Sequence, residues 1–553
     1  MKTKLFVSFA AFVAASALMC SCSNEESADS NNNSNSNSNG QLTAFTGGIV
    51  TEAPMERMQL STPEISTEVP GFLTRTSMSR NDIGRQGVFY WEPNDVIYVE
   101  DDNKTLFKSQ NTINAAVDCA TFLVDGSYTG KNQYDVYYYG TNTNTSAEGK
   151  NVVVIANNQT LAAFNNTKHF GAVGDCGVAK ATKTTVEGKS GYSFELVHKA
   201  SYLCFLPYMP IKVQRENFRI KRIEITSDNN IAGTYELTQD GLSKGTNESK
   251  TITLNVGTDG KGLKLVDQAT KTKSIKNSLY VVIAPGTHTL TVKYTISDAK
   301  NTEATITESY KSHNFGANKI CDIPVNLSVR HYSGHNHYMW DAKENYWSGH
   351  EWDAVTPWQP TGMGASDSRY PKSMKADGAR WYHEGGVAFE ASNAPFTKLK
   401  LPNANEMAWY VLKGDAHWDN STPWEVFGRI YRCGIWLKKL SVIANENGKE
   451  KSADLKLKDP NDKDLRVSDG HYDFSFDPKS GMPADKISNY FFLPALGYYS
   501  GGQFTNFSIM GYYWSSSAAS KDIQNAYDLI FSRGNVHLSF SSRPFGYVAL
   551  PFE

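Results

Sequence analysis

Residues 490–553 include YFFLPALGYYSGG (490–502), MGYYWSSS (510–517) and NAYDLIFSRGNVHLSFSSRPFGYVALPFE (525–553). Apolar and polar residues alternate here, which puts Tyr527, Leu529 and Phe531 on one side of an expected strand and Val536, Leu538 and Phe540 on one side of the next. Ser532-Arg533-Gly534-Asn535 between them is a short glycine-containing turn, so the two runs are expected to form a hairpin. Tyr547-Val548-Ala549-Leu550 is expected to be a core strand, not a frayed tail. The whole reads as a compact aromatic module that the rest of the chain delivers.

With 553 residues the chain has room for about three domains. A formal charge of −2 and a pI near 6.6 argue against a nucleic-acid partner, which would leave a basic patch. Ten of the eleven tryptophans lie at or beyond Trp340, and Trp91 alone precedes it. The last third is therefore a different module from the middle.

The N-terminus reads as a targeting segment. Lys2 and Lys4 precede an apolar run over residues 5–19, shorter than the ~20 residues a membrane-spanning helix needs. The run ends in Met19-Cys20-Ser21-Cys22-Ser23, which resembles a bacterial lipoprotein signal with Cys22 as the lipidated residue. Ser23-Asn24-Glu25-Glu26 is similar to the acidic export signal of surface lipoproteins of the Bacteroides group. Residues 1–22 are thus expected to be a signal peptide, and the Asn/Ser-rich residues 23–40 a disordered tether. The other cysteines, Cys119, Cys176, Cys204, Cys321 and Cys433, are scattered without a CxxC pair and indicate neither zinc nor a disulfide framework.

From Gln41 the chain turns to short strands bounded by Asn, Asp and Gly, with no long helical period. Expected strands include residues 42–50, 87–99, 134–139 and 152–155 in a first β domain, 41–188. Those of a second, 189–328, include 192–197, 201–206, 218–226, 233–237, 250–256, 279–284 and 290–296. Such spacing favours antiparallel sandwiches over a doubly wound fold.

Arg75-Thr76-Ser77 followed by Phe89-Tyr90-Trp91-Glu92-Pro93-Asn94-Asp95-Val96-Ile97-Tyr98-Val99 resembles the start of the fimbrillin family of Bacteroidetes. Phe194-Glu195-Leu196-Val197-His198-Lys199-Ala200 and Tyr280-Val281-Val282-Ile283-Ala284-Pro285-Gly286-Thr287 are similar to landmarks of its second domain. The resemblance implies two tandem transthyretin-like sandwiches in a lipoprotein precursor of a pilus subunit. It also implies that an arginine-specific protease removes the first strand, here residues 42–50, and that a neighbouring subunit's strand replaces it. Arg57, Arg75 and Arg80 are the candidate cleavage points; Arg75 is preferred without being separable from Arg80. A stalk subunit would carry a donor strand after its second domain, whereas this chain continues for more than two hundred residues past Asn326. That departure suggests a tip or accessory subunit.

Residues 329–342 read as a connector whose His331, His335 and His337 suit a packed joint better than a metal site. Beyond it, Asn403 is expected to cap a helix, with Glu406 completing a capping box, and a strand is expected to lead in through Leu399 and Leu401. Leu401-Pro402-Asn403-Ala404-Asn405-Glu406, Phe492-Leu493-Pro494-Ala495-Leu496-Gly497-Tyr498, Gly511-Tyr512-Tyr513-Trp514-Ser515-Ser516-Ser517 and Ser541-Ser542-Arg543-Pro544-Phe545-Gly546-Tyr547 occur in that order. Together they resemble the paralogous domain of Fibrobacter and Bacteroides surface proteins, a branch of the C-type-lectin-like fold. This implies an α+β domain over residues 343–553. Glu92-Pro93-Asn94 spells a calcium-lectin motif but lies in the first β domain as a turn, and Trp418-Asp419-Asn420 has the lectin order reversed.

Trp347, Trp352, Trp358, Trp418 and Trp424 lie in loop-like stretches, where exposed faces could stack on sugars or anchor a protein. No nucleophile–base pairing, phosphate loop or cofactor motif is present, so no enzyme is expected. The expected protein is a mainly β outer-membrane lipoprotein precursor that becomes a pilus tip or accessory adhesin at the cell surface. Its partners would be other pilus subunits, membrane lipid and an unidentified glycan or protein. A non-pilus surface lipoprotein that binds glycans is the alternative.

Overall fold

Short apolar runs bounded by Asn, Asp and Gly form strands because one face or both are buried and the turns accept unusual backbone angles. Strands hold 44% of the residues and helices 9%, so the protein is mainly β. The computed structural model describes residues 42–553 apart from 49–54, 58–76, 80–87, 111–112, 142–143, 146–148, 187–188, 267–274, 385–389, 394–395, 450–451, 469–476 and 520–521. The chain divides into two compact units. The first comprises Met1–Tyr208, Lys221–Tyr294 and Thr307–Asn326; the second comprises Met209–Ile220, Thr295–Ile306 and Leu327–Glu553.

In the first unit the largest sheet runs in the order Leu106–Lys108, Tyr98–Glu100, Gln133–Tyr138, Gly177–Val186, Lys189–Phe194, Thr43–Gly47, Ala120–Val124. Its two ends meet: Ser109 bridges Val124, and Gln110 N donates to Leu123 O at 2.7 Å. The sheet thus closes on a core of Phe45, Trp91, Phe122, Tyr138, Tyr192 and Phe194, among others. Glu92-Pro93-Asn94 is a turn, as expected, with Asn94 at φ 72° and Asp95 N donating to Glu92 O at 3.1 Å.

The expected boundary at 188/189 falls inside a hairpin, because Val186 pairs with Lys189. Other pairings also cross it: Asn151–Ile155 joins Ala232–Thr238, Asn158–Leu161 joins Thr251–Val256, and Met55–Arg57 joins Ile320–Asn326. Spacing along a chain shows where strands are, but not which of them hydrogen-bond. Most pairs are antiparallel. Parallel ones include Thr43–Gly47 with Lys189–Phe194 and Ser201–Tyr208 with Ile320–Asn326.

The second unit is built on a five-stranded sheet, in the order His337–Tyr338, Tyr547–Val548, Gly511–Ala518, Asn525–Phe531, Val536–Ser542. The expected hairpin is present, with Phe531 opposite Val536, Leu529 opposite Leu538 and Tyr527 opposite Phe540. Period two sorts each strand between two cores. Tyr513, Leu529 and Val548 enter the larger one, while Trp514, Ile530, Tyr547 and Ala549 enter the other. The helix Ala404–Lys413 begins at Asn403 with both halves of the capping box formed, Glu406 N donating to Asn403 Oδ1 and Asn403 N to Glu406 Oε2. The segment leading in is a short helix, Phe396–Leu399, rather than the expected strand.

Residues of the expected connector belong to this unit's core. His337 pairs with Val548, so the first and last strands of this sheet in chain order are neighbours, and Met339, Trp340, Asp341 and Ala342 are all buried. Two shorter segments complete it. Gln214 Nε2 donates to Val329 O at 2.9 Å and Val329 N donates back to Gln214 Oε1 at 3.1 Å. Asp298 closes its own turn on Lys300 N and Thr302 N through Oδ1, while Oδ2 accepts from Ile430 N at 3.1 Å.

Candidate functional site

The strand Thr43–Gly47 lies inside the first sheet, antiparallel to Ala120–Val124 on one side and parallel to Lys189–Phe194 on the other. Phe45 is fully buried and stacks on Tyr192 with centroids 5.0 Å apart; Tyr128 meets it edge-on at 5.0 Å. Gly47 is required for space, since a side chain there would collide with the Phe194 ring. Trp91 Nε1 donates to Gly47 O at 3.2 Å, and the Thr46 and Thr121 hydroxyls meet at 3.0 Å. Without these five residues the sheet would open between Ala120–Val124 and Lys189–Phe194. What remained would be a slot with fixed register, an aromatic pocket, and no room for a side chain two residues further on.

Of the candidate cleavage points, Arg57 lies in the short strand Met55–Arg57, in register with Asp322 of Ile320–Asn326. A peptide bond held extended in a sheet is a poor protease substrate until it unpairs. Arg75, Arg80 and Cys22 lie outside the described residues. The chain resumes at Ser77–Ser79, paired with Val88–Tyr90; Met78 N donates to Thr167 Oγ1 at 2.5 Å and Thr167 Oγ1 donates to Met78 O at 2.8 Å.

Three of the five tryptophans expected at a binding surface are core residues. Trp347 packs with Tyr346 and Tyr499, Trp424 lies between Tyr431 and Phe507 with its Nε1 donating to Cys433 O at 3.0 Å, and Trp418 is buried in the same core. Trp418 and Trp424 lie in the short strands His417–Asp419 and Trp424–Val426, and only Trp347 is in a loop, so polar neighbours in sequence meant neither loop nor exposure. Trp352 is half-buried and donates from Nε1 to Ser333 O at 2.8 Å. Trp358, also half-buried, stacks on His350 and has the Arg369 guanidinium 4.7 Å from its ring centre.

Asp419 of the reversed lectin tripeptide is fully buried and occupied by protein donors. Its oxygens accept from Ser421 N and Oγ, Thr422 N and Oγ1, and Trp436 Nε1. Burial alone would raise its pKa, but these bonds outweigh it and hold the carboxyl below its ordinary value. The connector histidines go to separate partners: His331 to Glu425, His335 to Asp353 and His337 to Leu496 O. The described residues contain no cluster of three or more metal-ligating side chains.

One tryptophan that the sequence did not single out, Trp381, is partly exposed and lines a cavity with Asp341 and His383. Its signal was faint because the lining residues are spread from 341 to 393.

No known family model and no curated protein matches the chain. Among solved structures, a Bacteroides ovatus protein provisionally assigned to cell adhesion is 14% identical, with a TM-score of 0.27, covering 43% of this chain and 84% of its own. One from Bacteroides eggerthii with the same provisional assignment is 10% identical, with a TM-score of 0.26, covering 53% and 88%. A Bacteroides ovatus fimbrial protein is 10% identical, with a TM-score of 0.22, covering 83% and 95%. Likeness at this level is too slight to carry an activity from those proteins to this chain.

Proposed function

We propose that the chain is a cell-surface fimbrial subunit of the tip or accessory kind, an adhesin and not an enzyme. Its N-terminal unit assembles with other pilus subunits by strand exchange, and its C-terminal unit binds a ligand. The observation that carries this reading is the Thr43–Gly47 strand, a short N-terminal segment held in the interior of a sheet. Its loss would create one slot of defined register, in which main-chain hydrogen bonds supply affinity and the Phe45 pocket supplies selectivity. Lipidation at Cys22 would hold the precursor at the outer membrane until processing. Cleavage after Arg75 would leave the pinned Ser77–Ser79 strand in place, whereas cleavage after Arg80 would remove it. That difference favours Arg75.

The test is digestion of the full chain with an arginine-specific protease, followed by mixing with cognate subunits and gel filtration. A new N-terminus at Thr76 and a complex that survives the column are expected. A chain that resists cleavage at Arg75 and Arg80, or a cleaved chain that accepts no donor strand, would sink the proposal. The alternative, a surface lipoprotein that binds glycans outside any pilus, draws support from the completeness of the Phe45 and Gly47 packing, which suits a permanent strand as well as an exchangeable one. Surface material that retains residues 43–47 behind a lipidated Cys22 would decide for it.

A further inference from the structure

The C-terminal unit contains a cavity of about 280 Å³ whose lining includes Asp341, Lys343, Met374, Trp381, His383 and Asn393. We propose that it is a binding site for a single pyranose ring, the terminal residue of a glycan.

The cavity is organised from below by Asp341, whose side chain is fully buried and whose backbone sits in the left-handed region at φ 53°. A non-glycine residue held there costs conformational energy, and such strain collects where a side chain must be aimed. The Asp341 carboxylate accepts from Ser392 N at 3.1 Å on both oxygens, Ser392 Oγ at 3.1 Å, Asn393 N at 2.8 Å and His383 Nδ1 at 3.0 Å. It is fully engaged, so its role is to position its neighbours and not to touch a ligand.

Those neighbours are thereby polarised in a definite way. His383 lines the cavity and turns Nδ1 to Asp341, and in the neutral ring that donates there Nε2 is left as an acceptor. Asn393 spends its amide nitrogen on Asp341 O at 3.0 Å, leaving its carbonyl oxygen as the free end. Lys343 makes no ion pair among the described residues and supplies donors. Beside these stands Trp381, partly buried, with its Nε1 donating to Glu384 Oε1 at 2.5 Å so that the indole plane is fixed.

Two acceptors, a cationic donor and an aromatic wall match a group that carries several hydroxyls on a ring with an apolar C–H face. Hydroxyls both donate and accept, and the C–H face can lie on the indole. A carboxylate or phosphate would meet the lone pairs of His383 Nε2 and the Asn393 carbonyl. An apolar ligand would strand three polar groups. The volume lies below the ~300–1,000 Å³ of pockets for drug-sized ligands, which suits one sugar ring.

Asp341, His383 and Ser392 also superficially suggest a hydrolytic relay. However, Ser392 Oγ lies 3.4 Å from His383 Nδ1, the same nitrogen that Asp341 engages, so Nε2 has no nucleophile to activate. The arrangement binds and does not cleave.

This proposal rests on reading the C-terminal unit as the binding end, but not on strand exchange. The experiment is saturation-transfer NMR on the full chain with methyl glycosides of glucose, galactose, mannose, fucose and N-acetylglucosamine, with N-acetylneuraminic acid and adenosine as contrasting ligands. At least one neutral glycoside should receive saturation on its ring protons. Trp381→Ala and Lys343→Met should each weaken that binding about 10-fold, the loss of one good contact. Trp358→Ala, outside the cavity lining, should leave it unchanged, and matched melting curves would show that each variant is folded. Absence of binding by every neutral glycoside at about 10 mM, well above the ~1 mM of a weak site, would overturn the proposal. So would binding that Trp381→Ala and Lys343→Met leave intact, or a preference for adenosine or the acidic sugar. Because the intact chain is used, a protein that fails the strand-exchange test can still pass this one, and the reverse.

Discussion

Asp528 lies in the interior strand Asn525–Phe531, is fully buried, and has no well-formed hydrogen bond to either carboxylate oxygen. Burial pushes its pKa up to about 7 from an ordinary 3.8, opposed only by the Ser541 hydroxyl, which accepts from Tyr547. The unfolded chain loses this proton near pH 4 while the folded chain keeps it to about pH 7, so over that interval stability falls as pH rises. Asp528→Asn should therefore stabilise the protein above about pH 7 by up to ~4 kcal/mol, less the cost of burying an unpartnered amide, and by little near pH 4. Urea melts of both proteins at the two pH values check this; an equal difference at each would exclude the titration. Alternation singles out Tyr527, Leu529 and Phe531 on one side of this strand but does not show that Asp528, on the other, is buried too, because both faces of that sheet carry a core. The same blindness to what packs against a short segment placed Trp347, Trp418 and Trp424 on the surface and passed over Trp381.

At the scale of elements the sequence was a better guide, because hairpins and caps are local. The turn at 532–535 and the Asn403–Glu406 box are set by residues three or four apart, and both form. The Thr43–Gly47 strand was legible as a strand but not as an interior one, since its neighbours begin at Ala120 and Lys189. That position makes its composition consequential. Phe45→Ala should cost about 3–5 kcal/mol, as for other buried aromatic truncations, and urea denaturation of the full chain would register it. A donor strand should obey the same limits, with an aromatic residue in the Phe45 pocket and glycine two positions later. On the cleaved chain, a peptide with Phe-x-Gly at that register should bind, and its glycine-to-valine counterpart should not, because valine would meet the Phe194 ring. Equal binding of the two peptides would mean that the slot is read through its backbone alone.

At the scale of the molecule, strand pairing defeats any division of the chain by composition. The tryptophan boundary near residue 340 falls inside the continuous part of the C-terminal unit, Leu327–Glu553, and misses its two upstream segments, and the residues just before it decide whether the unit folds. His337–Tyr338 is an edge strand of its main sheet, and Trp340 is buried with its Nε1 donating to Ser515 O at 3.0 Å and the Arg543 guanidinium 4.4 Å from its ring centre. A fragment beginning at residue 343, the expected start of the domain, would leave Arg543 without its aromatic partner and Tyr547–Val548 without a neighbour on one side. Buried aromatic truncations alone cost about 3–5 kcal/mol, a large share of the ~5–15 kcal/mol that holds a domain together. Residues 343–553 should therefore melt without a cooperative transition. Residues 327–553 should show one, although below that of the full chain, because the fragment loses the two Val329–Gln214 hydrogen bonds, that from Ile430 N to Asp298 and that from Arg432 to Glu303 O, at about 1 kcal/mol each, together with the Arg429–Asp298 ion pair. Near-UV circular dichroism on heating separates the cases: the aromatic signal should vanish sharply in the longer fragment and be weak from the outset in the shorter. A cooperative melt of residues 343–553 would mean that the connector is dispensable and that the main sheet holds without its edge strand His337–Tyr338.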